Sequence, residues 1–314
     1  VDLQASMAQG AEILARWATL LADAQSEKND SQDNPYLAEA EWWWNVASDF
    51  TVKTRLMWRD GWFRDYDSVA GEWSTQRDAM HLAPVFCGAS SSEQVEQLRA
   101  VLAQPPQHSS GWAPLSWPPV VMTLVGAAGV AHMPMDAAEL AHRFIDASYR
   151  SIDSRELDEH GGIPGVTREY RRTVEVKYGF DYANAGIEGY GWGALSVHLL
   201  VRYLLGLQEE EVGRLTVSPA LPQALRRTGA IYKAAPVPWG KYVLSVECMV
   251  KDAKRYRVRL RCVVPTEVGE ARENLEGVRE EVTPIEMKEY QCEWEGAWGE
   301  GRMLQLPQLN ITSI

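Results

Sequence analysis

The chain has 314 residues, 46% of them apolar and 24% charged, and a formal net charge of −12. That length suits one large domain, or one domain with a smaller companion, and the composition is ordinary for a globular protein. The acidic balance repels phosphate backbones and argues against nucleic acid as a partner. The longest apolar run, 118–131, is too short to cross a bilayer and carries Gly126 and Gly129, so it reads as a buried helix rather than a membrane span.

Taken in order, the first 25 residues place apolar side chains at Leu3, Met7, Leu14, Trp17, Leu21 and Ala24, the spacing of a helix with one buried face. Asn34-Pro35 is an N-cap followed by proline in the first turn. The helix it opens is expected to reach about residue 58 and to bury Ala40, Trp44, Ala47, Thr51 and Thr54. Trp42, Trp43 and Trp44 sit about 100° apart on such a helix, so at least one of them must face a cleft or another interface. Residues 59–73, RDGWFRDYDSVAGEW, break the period at Gly61 and Gly71 and predict a loop or hairpin. Helices are predicted at 76–86 and at 92–103, the second opened by Ser91 and Gln94 as a capping box. The Trp-rich 109–119 leads into the buried helix. Asp136 and Glu139 mark another helix running to about 149, a polar loop spans 151–189, and a last apolar helix covers 190–205. No repeat of fixed period is present, which excludes a solenoid.

After Gly206 the texture changes to strand and turn material. Tyr242, Leu244, Val246, Cys248 and Val250 alternate with less apolar neighbours, and Tyr256, Val258, Leu260 and Cys262 alternate with Arg255, Arg257, Arg259 and Arg261. The two runs form a hairpin whose apolar faces coincide only if the loop has three residues, 252–254. That register sets Cys248 opposite Val258 and Cys262 opposite Leu244, so the two cysteines do not pair. The arginine stripe is the solvated face of the sheet or, less readily, an anion site. Cys87, Cys248, Cys262 and Cys292 show no metal-binding spacing, and no metal or cofactor is implied.

Thirteen Trp and twelve Tyr stand against five Phe. Aromatics with a polar edge stack on sugar rings while still hydrogen-bonding, although helical cores also consume Trp. Four motifs then fall in a telling order: VDLQASM at the start, WFRDYDS at 62–68, SSGWAPLSWPP at 109–119, and VEVKYGF followed by GYGWGALSVHLL at 174–200. In that order they resemble the trehalase-like glycoside hydrolases. GWAPL matches the trehalases, while WPP is similar to the related α-glucosidases that act on glucosylglycerate-type substrates. LTVSPALP resembles a segment that joins helical barrels to β-sandwiches in several sugar-processing families.

The resemblance implies a mainly α fold: part of an (α/α)6 barrel over 1–207, followed by a β-rich, sandwich-like domain over 208–314. It implies an inverting α-glycosidase in which Glu175 is the general base. The loop departs from the E-K-Y-D pattern by the inserted Val176 and lacks its Asp, so Glu169 and Glu188 remain alternatives. Trp112, Trp62, Phe63, Asp65 and Tyr178 are the implied substrate-binding residues. Trp112 and the Trp62-Phe63 pair can equally be packing anchors, Asp67 a solvated turn, and Trp192 a packing residue behind the Glu175 loop. The family's general acid is an Asp upstream of the match to VDLQ. The expectation is therefore a processed or truncated chain, holding about half of the barrel and not a competent hydrolase by itself. Its expected partners are a carbohydrate substrate and either the N-terminal segment of the same precursor or a second copy. A non-catalytic carbohydrate-binding protein and a glycoside phosphorylase are the alternatives. The compartment stays open.

Overall fold

The computed structural model describes residues 1–26, 34–103, 118–150, 194–211, 214–240, 242–265 and 287–306, the side chains at 147–150, 210, 211, 265 and 287 excepted. It divides into two units, Val1–Val197 and His198–Ile314. The first carries helices α1 (Asp2–Ser26), α2 (Pro35–Arg55), α3 (Ala83–Phe86), α4 (Ser92–Ala103), α5 (Pro118–Val130) and α6 (Pro134–Arg150). Helix α7 (Ala194–Leu199) runs across the division and continues as a π-helical turn, Leu200–Leu204.

Helix α1 has the predicted extent but buries a different face. Leu3, Met7, Leu14, Trp17 and Leu21 are all exposed, Leu3 at 72% and Trp17 at 60%. The buried residues are Ala5, Ala8, Ala11, Ala15, Ala18 and Ala22. Neighbouring positions on a helix lie about 100° apart, so Ala8, Ala15 and Ala22 form a stripe one step round from Met7, Leu14 and Leu21. Helix α2 lies along α1 and answers with Ala40, Ala47 and Thr54 at the same seven-residue spacing. Small residues on both sides let two helices approach to about 8 Å, and that closeness decides which face is buried. Trp44, expected inside, is 42% exposed, as is Trp42 at 57%, its ring edge-on to that of Trp43. The Asn34 cap is as predicted: its side chain accepts from the Tyr36 amide, and its amide group donates to the Ala22 carbonyl, closing the α1–α2 hairpin.

The predicted helix at 76–86 is instead a 3₁₀ turn, Ala79–Leu82, passing into the four-residue α3. Asp78 caps at Met80 and so starts the helical run late, and Pro84 supplies no amide for a continuous ladder. Helix α4 opens on the predicted capping box: the Ser91 amide donates to Gln94 Oε1 at 2.9 Å, and the Gln94 amide to Ser91 Oγ at 3.2 Å. In α5, a Cβ at Gly126 would fall 2.2 Å from the Phe86 ring, so the glycine is what lets α3 and α5 pack.

Among its described residues the second unit holds a four-stranded antiparallel sheet and a three-stranded one. The larger runs β10 (Met287–Ala297), β9 (Arg255–Pro265), β8 (Tyr242–Val250), β7 (Ile231–Trp239), and the smaller β11 (Arg302–Gln305), β6 (Arg214–Val217), β5 (Leu207–Glu211). Leu207, Leu215 and Val217 of the small sheet share one core with Leu244, Val246, Cys248, Val258, Leu260 and Trp294 of the large one. The β8–β9 register is the predicted one, Cys248 opposite Val258 and Leu244 opposite Cys262. Its loop is held by Asp252, whose carboxylate accepts the Lys254 and Arg255 amides at 2.8 and 2.9 Å. All four cysteines are free thiols. The arginine stripe is the solvated face, and its charges are met in place: Arg255 by Asp252, Arg257 by Glu295, Arg259 by Glu293 and Glu247, Arg261 by Glu289. At the entry to this unit, Gly206 (φ +72°) donates no side chain for a physical reason: a Cβ there would lie 1.9 Å from the Ser218 carbonyl oxygen.

Candidate functional site

The segment that carries WFRDYDS folds as two successive hairpins, built before the 3₁₀ turn. In the first, β1 (Trp58–Arg59) pairs with β2 (Trp62–Phe63) across Asp60 and Gly61, both at positive φ (50° and 74°). Two consecutive left-handed residues make the tight turn whose twist suits adjoining strands, and Asp-Gly is a sequence that adopts it. In the second, β3 (Tyr66–Asp67) pairs with β4 (Glu72–Trp73), closed by the Gly71 amide bonding to the Asp67 carbonyl at 2.8 Å. Aromatic pairs hold both hairpins: Trp58 against Phe63 edge-on at 4.8 Å, and Tyr66 tilted on Trp73 at 5.0 Å. The Arg59 guanidinium stacks over Trp73 at 4.5 Å and so links one hairpin to the other.

Among the sequence-predicted site residues, Trp62 and Phe63 are buried, at 2% and 0% exposure. The Arg77 guanidinium covers the Trp62 ring at 5.4 Å. Their geometry is that of a loop anchor, one of the two roles the sequence allows. Asp67 is a turn residue: its carboxylate accepts the Val69 and Ala70 amides at 2.8 and 2.9 Å, which hold its pKa below the ordinary value. Glu175, Trp112 and Tyr178, with the alternatives Glu169 and Glu188 and the packing residue Trp192, lie outside the described residues.

Asp65 is different. It stands between the two hairpins with its side chain 53% exposed, and both its oxygens are engaged. Oδ1 accepts from the amino group of Val1, and Oδ2 from His81 Nε2 at 3.0 Å. Burial pushes its carboxyl upward, but the hydrogen bonds and charges of those two donors outweigh that and hold its pKa below the ordinary value. The contact joins the first residue of VDLQASM to the centre of WFRDYDS, two motifs 64 positions apart. Just beyond, Ala5 and Ala8 of α1 share a small cluster with Ala83 and Cys87.

His81, which the sequence reading did not single out, is 5% exposed. Its Nδ1 accepts the Asp78 amide at 3.2 Å, while the Asp78 carboxylate accepts the Met80 amide at 2.7 Å. The spacing Asp78-x-x-His81 is that of a capping box and was available as a signal.

Among the described residues no group of three or more His, Cys, Asp or Glu side chains could hold a metal ion. None of the helices searched there is long and apolar enough to cross a membrane. A shallow depression of ≈ 340 Å³ lies in the second unit over β7, β8 and β9, bordered by Lys233, Pro236, Ser245 and Arg261, and contains none of the residues implied for catalysis or sugar binding.

No protein-family model matches the chain, and no curated protein sequence does. Among solved structures it is similar to neutral trehalase Nth1 from Saccharomyces cerevisiae, at 16% identity and a TM-score of 0.41, over 64% of this chain and 37% of that one. The chain thus spans well under half the length of that protein.

Proposed function

We propose that the chain is the C-terminal portion of an inverting α-glycosidase acting on an α-glucoside-type substrate, with part of an (α/α)6 barrel forming one wall of the cleft. The observation that supports the reading is that VDLQASM packs beside the region of WFRDYDS, Val1 meeting Asp65 and Ala5 and Ala8 sharing a cluster with Ala83 and Cys87, so that motifs taken from the sequence only for their order are neighbours in space. Glu175 is the general base. It takes a proton from water as the water oxygen bonds to the anomeric carbon, while a carboxylic acid opposite protonates the departing oxygen, the two carboxyl groups standing about 6.5–9.5 Å apart. Asp65, fixed and half-exposed, offers its remaining lone pairs to sugar hydroxyls. Trp112 and Tyr178 supply faces for the ring.

The general acid comes from an N-terminal segment of the same precursor or from a second copy. Support for such a partner is the exposed row Leu3, Met7, Leu14, Trp17 and Leu21 on α1, since rows of exposed apolar side chains mark interaction surfaces. In the assembled protein Glu175→Gln abolishes release of reducing sugar and leaves sugar binding in place. Undiminished hydrolysis by that variant would remove Glu175 from the role. Product assays with and without phosphate distinguish hydrolysis from phosphorolysis, and sugar binding without turnover by a complete assembly would leave a carbohydrate-binding protein.

A further inference from the structure

We infer that His81 is the positioning residue for the Asp65 carboxylate, with its tautomer set by the backbone of the 3₁₀ turn it sits on. The third position of a capping box is ordinarily Glu or Gln, because the side chain only has to accept the N-cap amide. Histidine does this with one edge of its ring and retains a second nitrogen on the other edge. Here Nδ1 accepts the Asp78 amide at 3.2 Å, so in the neutral ring the proton resides on Nε2, and Nε2 lies 3.0 Å from Asp65 Oδ2. The hydrogen bonds run in one direction, from backbone amide to imidazole to carboxylate.

The imidazole has little room to turn. It is 5% exposed, and its neighbours Ala79, Leu82, Ala83 and Val85 are buried with it. Met80, on the same turn, packs against α5, its sulfur 3.7 Å from the Thr123 hydroxyl, whose proton goes to the Pro119 carbonyl at 2.9 Å. The turn is therefore tied at its start by Asp78, from behind by α5, and at its front by Asp65. A carboxylate 53% exposed would ordinarily sample several rotamers. Held by a buried donor it presents the same lone pairs at all times, which is what a polar group in a sugar cleft needs. The geometry stands on its own, and its consequence for sugar binding rests on the reading of Asp65 as a cleft residue.

Two measurements test this separately, the first on the chain by itself and the second on the assembled protein. In ¹⁵N-resolved NMR of the imidazoles, His81 should show a bare Nδ1 and a protonated Nε2, and Asp65→Ala should shift the Nε2 signal while the Nδ1 signal stays. A protonated Nδ1, or an Nε2 signal indifferent to Asp65→Ala, would overturn the assignment. The second measurement is titration with glucose as the probe. His81→Leu and Asp65→Ala should each weaken binding about tenfold, as expected for loss of a hydrogen bond to a charged group, and the double variant should weaken it no further. His81→Gln, which places an N–H where Nε2 lies, should restore binding. His81→Asn, which places an acceptor where Nδ1 lies, should restore the cap and the fold but not the affinity. If Asn rescues binding and Gln does not, His81 is a capping residue and nothing more. If the tautomer is as stated and Asp65→Ala leaves glucose affinity unchanged, the cleft reading fails while the positioning of Asp65 stands.

Discussion

Single side chains here are governed by what lies one contact away. Gly126 is the clearest case. Alanine is the better helix former by about 1 kcal/mol, yet its methyl group would enter the Phe86 ring. Gly126→Ala is therefore expected to destabilise the protein by about 1–3 kcal/mol in a urea titration, as overpacking does. The thiols follow the same logic. Burial pushes Cys248 up to about 12, and Cys87 and Cys262 are raised for the same reason. A thiol-specific reagent at mildly alkaline pH should leave those three unmodified in the native protein and reach them only on unfolding, since the thiolate is the reactive form. Asp65 works in the opposite direction. In a chain with Val1 as its free terminus, the Val1 ammonium first and His81 second hold its carboxyl below the ordinary value, so its contribution is present in full above that ordinary value and is lost as the pH falls through the lowered one. The stability difference between wild type and Asp65→Asn should accordingly be largest near neutrality and shrink toward strong acid. Its size stays modest because half of the side chain faces solvent.

At the scale of the element, α1 separates what a sequence states from what packing decides. The length of α1 and the start of α2 were legible, because the period and the Asn34-Pro35 cap are local signals, whereas α2 ends at Arg55 and not at about 58, where Trp58 already belongs to a strand. The buried face of α1 was not legible. A periodicity count weights Leu, Met and Trp, whereas the α1–α2 seam is built from alanines that contribute little to such a count. Ala15→Leu should cost about 1–3 kcal/mol by thermal or denaturant melting. In the chain by itself, Leu14→Ser, one residue away on the exposed side, should fall within about 0.5 kcal/mol of wild type. The reverse outcome would restore the face that the sequence suggested. The β8–β9 hairpin shows what happens when local rules suffice: alternation fixed the faces, loop length fixed the register, and both hold in the structure. The 3₁₀ turn at Ala79–Leu82 lies between these cases, since Asp78 and Pro84 were readable as separate signals but not their combined effect on a helical period.

For the whole molecule, the sequence conveyed a helical portion followed by a β-rich one because the two hydrophobic periods, near 3.6 and 2, do not mix along the chain. The candidate site was legible only as an order of motifs. WFRDYDS could be marked, but which of its residues would anchor, turn or remain available depended on partners far away in sequence, Val1 for Asp65 and Arg77 for Trp62. The entry into the second unit carries a different lesson. With its left-handed backbone and the Ser218 carbonyl against its Cα, Gly206 leaves no space for any side chain, alanine included. In a scan of every substitution at every position, scored by survival of the folded chain, residue 206 would be as intolerant as a catalytic group while touching no sugar and moving no proton. Intolerance there records the clearance between two stretches of backbone. A map of mutational sensitivity for this protein would have to subtract such positions before what remains could be taken for chemistry.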